Sequence, residues 1–189
     1  DPVRAHRARR VEGDVSEGSH AMTTLVLGIG NSLLTDDGAG VHAALRLAEW
    51  VGEDPDVTVL DAGTLSFSLL HYVETATSLI AFDAARSGLA PGGISVHEGE
   101  AFDRFVQRNG RSVHEVGLAD LLDMARLAER LPARRVLIGI EPAEMGWGLE
   151  PTPAVAAALP EAVRLAREYI ERWRPAVPAA THGESVHAV

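Results

Sequence analysis

Two adjacent aspartates, Asp36 and Asp37, follow a glycine turn in the run TLVLGIGNSLLTDDGAGVHAALRLAEW that begins at Thr24. A third carboxylate, Asp83, ends the apolar run Leu79-Ile80-Ala81-Phe82, and an imidazole, His114, stands in SVHEVGLADLL ahead of an amphipathic stretch. A lone carboxylate at the end of an apolar strand is costly unless it meets solvent, a partner or a cation. Two carboxylates and an imidazole are also a donor set that holds a borderline divalent ion such as nickel or zinc while leaving positions for water or substrate. Each residue has a plainer reading. Asp36 or Asp37 could cap the helix that starts near Gly38, Asp83 could be a turn residue, and His114 could flank a helix. One cap accounts for one aspartate of the pair, and the three positions together make the stronger case for chemistry.

The elements that must position them are legible from periodicity. Leu25 to Leu27 reads as a buried strand, Gly28 and Gly30 as the turn after it, and Val41, Leu45 and Ala48 as the inner face of the next helix. Val57 to Leu60 reads as a second strand ending at Asp61, Ser78 to Phe82 as a third ending at Asp83, Gly93 to His97 as a fourth and Arg135 to Ile140 as a fifth. Helical patterns intervene at Leu65 to Tyr72, at Val116 to Arg130 through Leu118, Leu121, Leu122, Ala125 and Leu127, and at Thr152 to Trp173. Pro153 suits a first helical turn, whereas Pro160 predicts a kink or a split. This alternation predicts a three-layer αβα sandwich around a mostly parallel sheet of five strands, similar to phosphorylase/hydrolase-like folds. In such sheets ligands collect beyond the carboxyl ends of the strands, where all three candidates fall.

Composition narrows the chemistry. The chain has 189 residues and no cysteine, so thiolate metal sites, disulfides and a cysteine nucleophile are excluded. A net charge of -10 argues against nucleic acid as a partner. No apolar run is long enough to span a membrane and no signal peptide precedes the first strand, which predicts a cytoplasmic protein without a membrane partner. A dinucleotide fingerprint would need a third glycine where Leu33 stands, and two acids at the helix entrance would repel a pyrophosphate. No Gly-Lys-Ser/Thr follows, no HExxH is present, and Ser32, Ser66 and Ser68 lack a nucleophile-elbow setting. Residues 1–21 are polar and aperiodic, with four arginines against four acids, and read as an upstream extension or a cloning scar before Met22. The expected domain covers 22–174, and 175–189 reads as a flexible C-terminal tail.

Five separated motifs then carry a family resemblance: LGIGNSLLTDDGAGV, LDAGT at Leu60 to Thr64, LIAFDA at Leu79 to Ala84, HEVGLADLL at His114 to Leu122, and GIEPAEMGWGLEPTPAV. In this order, from about Thr24 to Trp173, the chain resembles the hydrogenase maturation endopeptidases, which remove a C-terminal extension from the large-subunit precursor of nickel-iron hydrogenases. The resemblance implies that Asp37, Asp83 and His114 form the nickel-contacting, catalytic triad. Relatives carry Glu or Asp at the first position. It also implies that nickel is supplied by the precursor's cysteine-rich site, with no organic cofactor, and that the precursor is the partner. Asp61, Gly63 and Thr64 of the second turn, with Asp36 beside the triad, make the expected substrate-binding set; as an ordinary turn, the same Asp-Ala-Gly-Thr would cap the helix from Leu65. Nickel could polarise the scissile carbonyl or activate water, or could dock the precursor and leave Asp37 or Asp83 as general base. Alternatives from other classes are a hydrolase with a resident zinc on the same three ligands, and a non-catalytic module that binds a metallocentre.

Overall fold

A computed structural model describes residues 23–109 and 117–174 of the chain. Five strands, β1 (Thr24–Ile29), β2 (Val57–Gly63), β3 (Ser78–Ala84), β4 (Ile94–Glu98) and β5 (Arg134–Ile140), form one sheet in the order β2-β1-β3-β5-β4. The β1–β2, β1–β3 and β3–β5 pairs are parallel, and β4 runs antiparallel on the far edge. Among the described residues five α-helices surround it: α1 (Ala39–Val51), α2 (Leu70–Thr75), α3 (Glu100–Asn109), α4 (Leu118–Leu127) and α5 (Pro153–Trp173).

Alternation along the strands sorts the apolar side chains into two cores. Val26, Ile80, Phe82, Val136, Ile138 and Ile140 face α1 and α5. Leu25, Leu27, Leu79, Ala81 and Leu137 face the other way, against Val73 of α2, Phe102 of α3 and Leu118, Leu122 and Ala125 of α4. Because β1, β3 and β5 are covered on both faces, their sequences are near-continuous apolar runs. The αβα layering is the expected one. The chain leaves the carboxyl end of β1 toward β2 on one side and the carboxyl end of β3 toward β4 and β5 on the other, so its connections diverge between β1 and β3. This is the topological switch point, the place where an open parallel sheet leaves a crevice at its carboxyl edge.

Glycine sets how tightly α1 lies there. A Cβ on Gly28 would stand 2.5 Å from the Ala44 Cβ, and one on Gly40 would stand 2.3 Å from the Ile29 carbonyl oxygen and 2.4 Å from that of Phe82. The N-terminus of α1 is therefore seated on the ends of both β1 and β3. Close approach through Gly40, Ala43 and Ala44 also turns the helix away from the expected face: Leu45 is 55% exposed while Leu47 is fully buried.

Other expectations are corrected in detail. Leu127 ends α4 in solvent rather than in the core. The helix expected over Leu65 to Tyr72 is a 3-10 turn at Phe67–Leu69 followed by α2. Pro160 does not split the last helix, which runs 21 residues through it. Its ring lies on the exposed side, where water can pair the carbonyl that loses its donor. Helix α3 was not expected; it is highly charged, and Asp103 ties it to β5 and α4 through Arg135, at 2.6 and 2.7 Å, and Arg126 at 3.0 Å. Among the described residues no helix is long and apolar enough to cross a membrane. Residues 1–21 and 175–189, assigned above to an extension and a tail, lie outside the described residues.

Candidate active site

The loop after β1 is built to present one aspartate and bury the other. Gly30 takes a φ of +127°, and a Cβ there would fall 1.8 Å from the Asp37 carbonyl oxygen, so only glycine lets the chain double back. Residues Thr35–Gly38 then make a 3-10 turn that leads into α1. Successive residues of such a turn point about 120° apart, so two neighbouring carboxylates cannot share an environment. Asp37 Oδ2 accepts a hydrogen bond from the Asn31 N–H at 2.9 Å, which orients its carboxylate, and its side chain stays half-buried at the crevice.

Asp36 was expected among the substrate contacts. Instead it is fully buried and wholly engaged. Its carboxylate accepts from the backbone N–H groups of Ala143 (2.8 Å), Glu144 (2.9 Å) and Thr152 (2.6 Å) and from the Thr152 hydroxyl (2.9 Å). Burial pushes its acidity toward the neutral form, but the combined donors of Glu144, Thr152 and Ala143 outweigh that and hold it below the usual carboxylate range. It is a clasp that fastens the first loop to the segment between β5 and α5.

Asp83 is the next-to-last residue of β3, paired with Gly139, one position beyond the register that matches Gly28 with Phe82. That places it beside the turn after β1, at the switch point. Burial pushes its carboxyl up to about 7, the negative charge of Asp37 adds to the rise, and the Ala84 N–H opposes it. Asp37 and Asp83 thus share one crevice and act on each other electrostatically.

The raised pKa of Asp83 has a measurable consequence for stability. The folded state holds the Asp83 proton up to about 7, whereas the unfolded chain releases it near 3.8. The native state therefore binds more protons across that window, and stability falls as pH rises through it. Asp83→Asn removes the penalty. Its stability relative to wild type should be more favourable at pH 8 than at pH 4, by about 2 kcal/mol allowing for partial solvent access. Urea midpoints at both pH values measure this, and an identical difference at both would show that Asp83 is not perturbed.

The remaining expected residues divide. Asp61 and Thr64 are exposed at the end of β2, and Asp61 Oδ1 accepts from the Gly63 N–H at 2.9 Å, closing its own turn. Gly63 takes a φ of +48°, and its carbonyl accepts from the Gly30 N–H at 3.0 Å, so the second turn is joined to the first. A bulge at Gly28/Ile29 accompanies this junction. His114 lies outside the described residues, between α3 and α4. Among the described residues there is no group of three His, Asp or Glu side chains placed to hold a metal ion. Glu141, absent from the expected set, directly follows β5 and is buried, and its Oε2 accepts from the N–H groups of Ser87 (2.6 Å) and Leu89 (3.1 Å). It fixes the loop that follows Asp83. The signal for it was the one that marked Asp83, an acid directly after an apolar strand.

Comparison with known proteins agrees with this architecture. The HycI hydrogenase maturation protease family model matches residues 41–168. The hydrogenase expression/formation protein HupD of Bradyrhizobium diazoefficiens is 36% identical over 150 residues, covering 79% of this chain and 78% of its own. The hydrogenase 2 maturation protease of Escherichia coli K12 is 34% identical over 143 residues, covering 75% and 87%. Among solved structures, the hydrogenase maturating endopeptidase HybD from E. coli superposes with a TM-score of 0.73 at 30% identity, covering 80% of this chain and 93% of that one. The HybD maturation protease from Thermococcus kodakarensis gives 0.66 at 33% identity, covering 78% and 99%. A match this extensive in both sequence and fold, with the paired aspartates at the switch point, makes this chain a member of the hydrogenase maturation protease family.

Proposed function

We propose that this peptidase removes the C-terminal extension of a nickel-iron hydrogenase large-subunit precursor after nickel insertion, using the precursor's own nickel as its recognition element. The observation that carries the reading is the pairing of Asp37 with Asp83 in the crevice of a family member that has no cysteine. Two carboxylates and one imidazole leave nickel incompletely coordinated, whereas a cysteine-rich precursor site supplies the thiolates that complete it. Asp37, Asp83 and His114 then complete the coordination only while the precursor is bound, and neither partner forms the composite site alone. Asp83, with its carboxyl near neutral pH, is also suited to take the proton of an attacking water. Burial holds it there, and the negative charge of Asp37 adds to the rise. The extended segment to be cut would lie along Asp61, Gly63 and Thr64, a reading supported by the Gly30–Gly63 hydrogen bond that joins their turn to the one carrying Asp37.

The test compares nickel-loaded and nickel-free precursor as substrates of the purified protein. The loaded form is expected to be cut once near its C-terminus, seen as a mobility shift on a denaturing gel. The nickel-free form should react at least about tenfold more slowly, because transition-state binding through the composite site is lost. Equal rates in the presence of a chelator would overturn the role of nickel and leave the peptidase reading standing. A resident-metal hydrolase would differ on both counts: the isolated protein would retain stoichiometric metal, and chelation would stop it from cleaving small peptides.

A further inference from the structure

Beside the crevice, the segment after β1 pairs with the segment after β5. Leu34 forms an isolated antiparallel bridge with Trp147, and the Gly148 N–H donates to the Leu33 carbonyl at 3.0 Å. The Thr35 hydroxyl donates to the Glu144 carbonyl at 2.8 Å and accepts from the Gly146 N–H at 3.1 Å. Asp36 closes the far end through its bonds to Ala143, Glu144 and Thr152. This short ribbon is thus strongly fastened, yet it holds large apolar side chains in water: Trp147 is 85% exposed, Leu149 65% and Leu33 53%. Side chains that stand this far into solvent add nothing to the core and do not enclose a small molecule.

We infer that the ribbon of residues 33–36 and 143–149, with Trp147 as its anchor, is the docking surface for the folded body of the hydrogenase large-subunit precursor. The inference rests on the proposed function. It adds where, outside the crevice, the substrate protein is gripped.

Three observations select this occupant. Trp147 and Leu149, two residues apart, stand on the same side of the ribbon and expose on the order of 300 Å² of apolar surface, the size of patch that marks interaction sites on soluble proteins. That is less than half of the ~800 Å² per partner of a stable interface, too little to hold a second copy of this chain by itself. A precursor seated there gains the remaining contact in the crevice, since Thr35 belongs to the ribbon and Asp37 lies two residues on in the same 3-10 turn. Exposed Glu144 and Glu150 flank the apolar centre with charge, the arrangement of an interface with an apolar middle and a polar rim. Rigid backbone pairing makes binding at Trp147 set the position of the bound protein relative to Asp37.

The experiment measures precursor processing as a function of precursor concentration for wild type, Trp147→Ala and Leu149→Ser, with nickel-loaded precursor and with folding checked by circular dichroism. Both substitutions are at exposed positions and should leave thermal unfolding unchanged. KM is expected to rise about tenfold for Trp147→Ala and by a smaller factor for Leu149→Ser, with kcat within about twofold of wild type, the pattern of lost ground-state binding by an interface anchor. Unchanged KM in both variants, with wild type active, would overturn the docking surface and leave the proposed function intact. A fall in kcat at constant KM would also overturn it. So would a wild-type dimer in sedimentation that Trp147→Ala dissociates without altering KM, since the patch would then serve self-association. Wild type that leaves the nickel-loaded precursor intact would remove the proposed function itself, and the docking surface with it.

Discussion

Asp37→Ala, Asp83→Ala and His114→Ala should each leave the large-subunit precursor uncut on a timescale that allows wild type to finish, a loss of at least about 10³-fold, in the upper part of what positioned proton-transfer groups contribute. The first two lie half-buried at the carboxyl edge of the sheet. Asp37 accepts one backbone hydrogen bond, from Asn31, whose loss costs on the order of 1 kcal/mol. Asp83 is better tolerated as a neutral side chain than as an ion, because the crevice disfavours its charge. Loss of activity with retained folding therefore separates a chemical role from a structural one. The comparison uses the gel shift of the large subunit against thermal unfolding of the same preparations. Wild-type processing by any of the three variants would remove that residue from the site. Processing lost by Asp37→Ala and Asp83→Ala but kept by His114→Ala would leave a carboxylate pair without the imidazole, and with it a site that has to find its third ligand elsewhere.

The neighbouring aspartate should give the opposite phenotype. Asp36→Ala is expected to lower stability by about 3–5 kcal/mol at pH 7, since it leaves the buried donors of Ala143, Glu144 and Thr152 without their acceptor and each such group costs about 1–3 kcal/mol, not fully additively. The sign of its pH dependence follows from the lowered pKa of Asp36. Its stabilising contribution is present above the unfolded value of 3.8 and is lost as pH falls through the lower folded value. The gap between wild type and Asp36→Ala should therefore be widest near neutrality and shrink in acid. Urea unfolding at pH 7 and at pH 3 measures both ends. A destabilisation under about 1 kcal/mol at pH 7 would mean that the clasp does not hold the first loop to the segment after β5.

These two phenotypes mark the line between what the sequence determined and what required the tertiary structure. The sheet was legible because β1, β3 and β5 are covered on both faces and must be written as unbroken apolar runs, and because glycines mark where the chain turns at their ends. The position of Asp83 was legible for the same reason: a carboxylate that ends such a run has to be at the carboxyl edge. Periodicity failed where packing distance decides the face. In α1 the small residues Gly40, Ala43 and Ala44 seat the helix against Gly28, which sends Leu45 into solvent although its spacing from Val41 fits a helical stripe. Helix α3 does carry a stripe at helical spacing, Phe102, Phe105 and Val106, packed into the second core, but the stripe is short and set among charges, and the Asp103–Arg135 pair that also secures the helix forms across 32 residues. The assignment of the two adjacent aspartates lay furthest from the sequence. Asp36 and Asp37 are chemically identical neighbours, and either would serve as cap, ligand or clasp. Their roles separate only when a 3-10 turn points them apart and donors 107 to 116 residues away close around Asp36, leaving Asp37 to face Asp83 across the switch point.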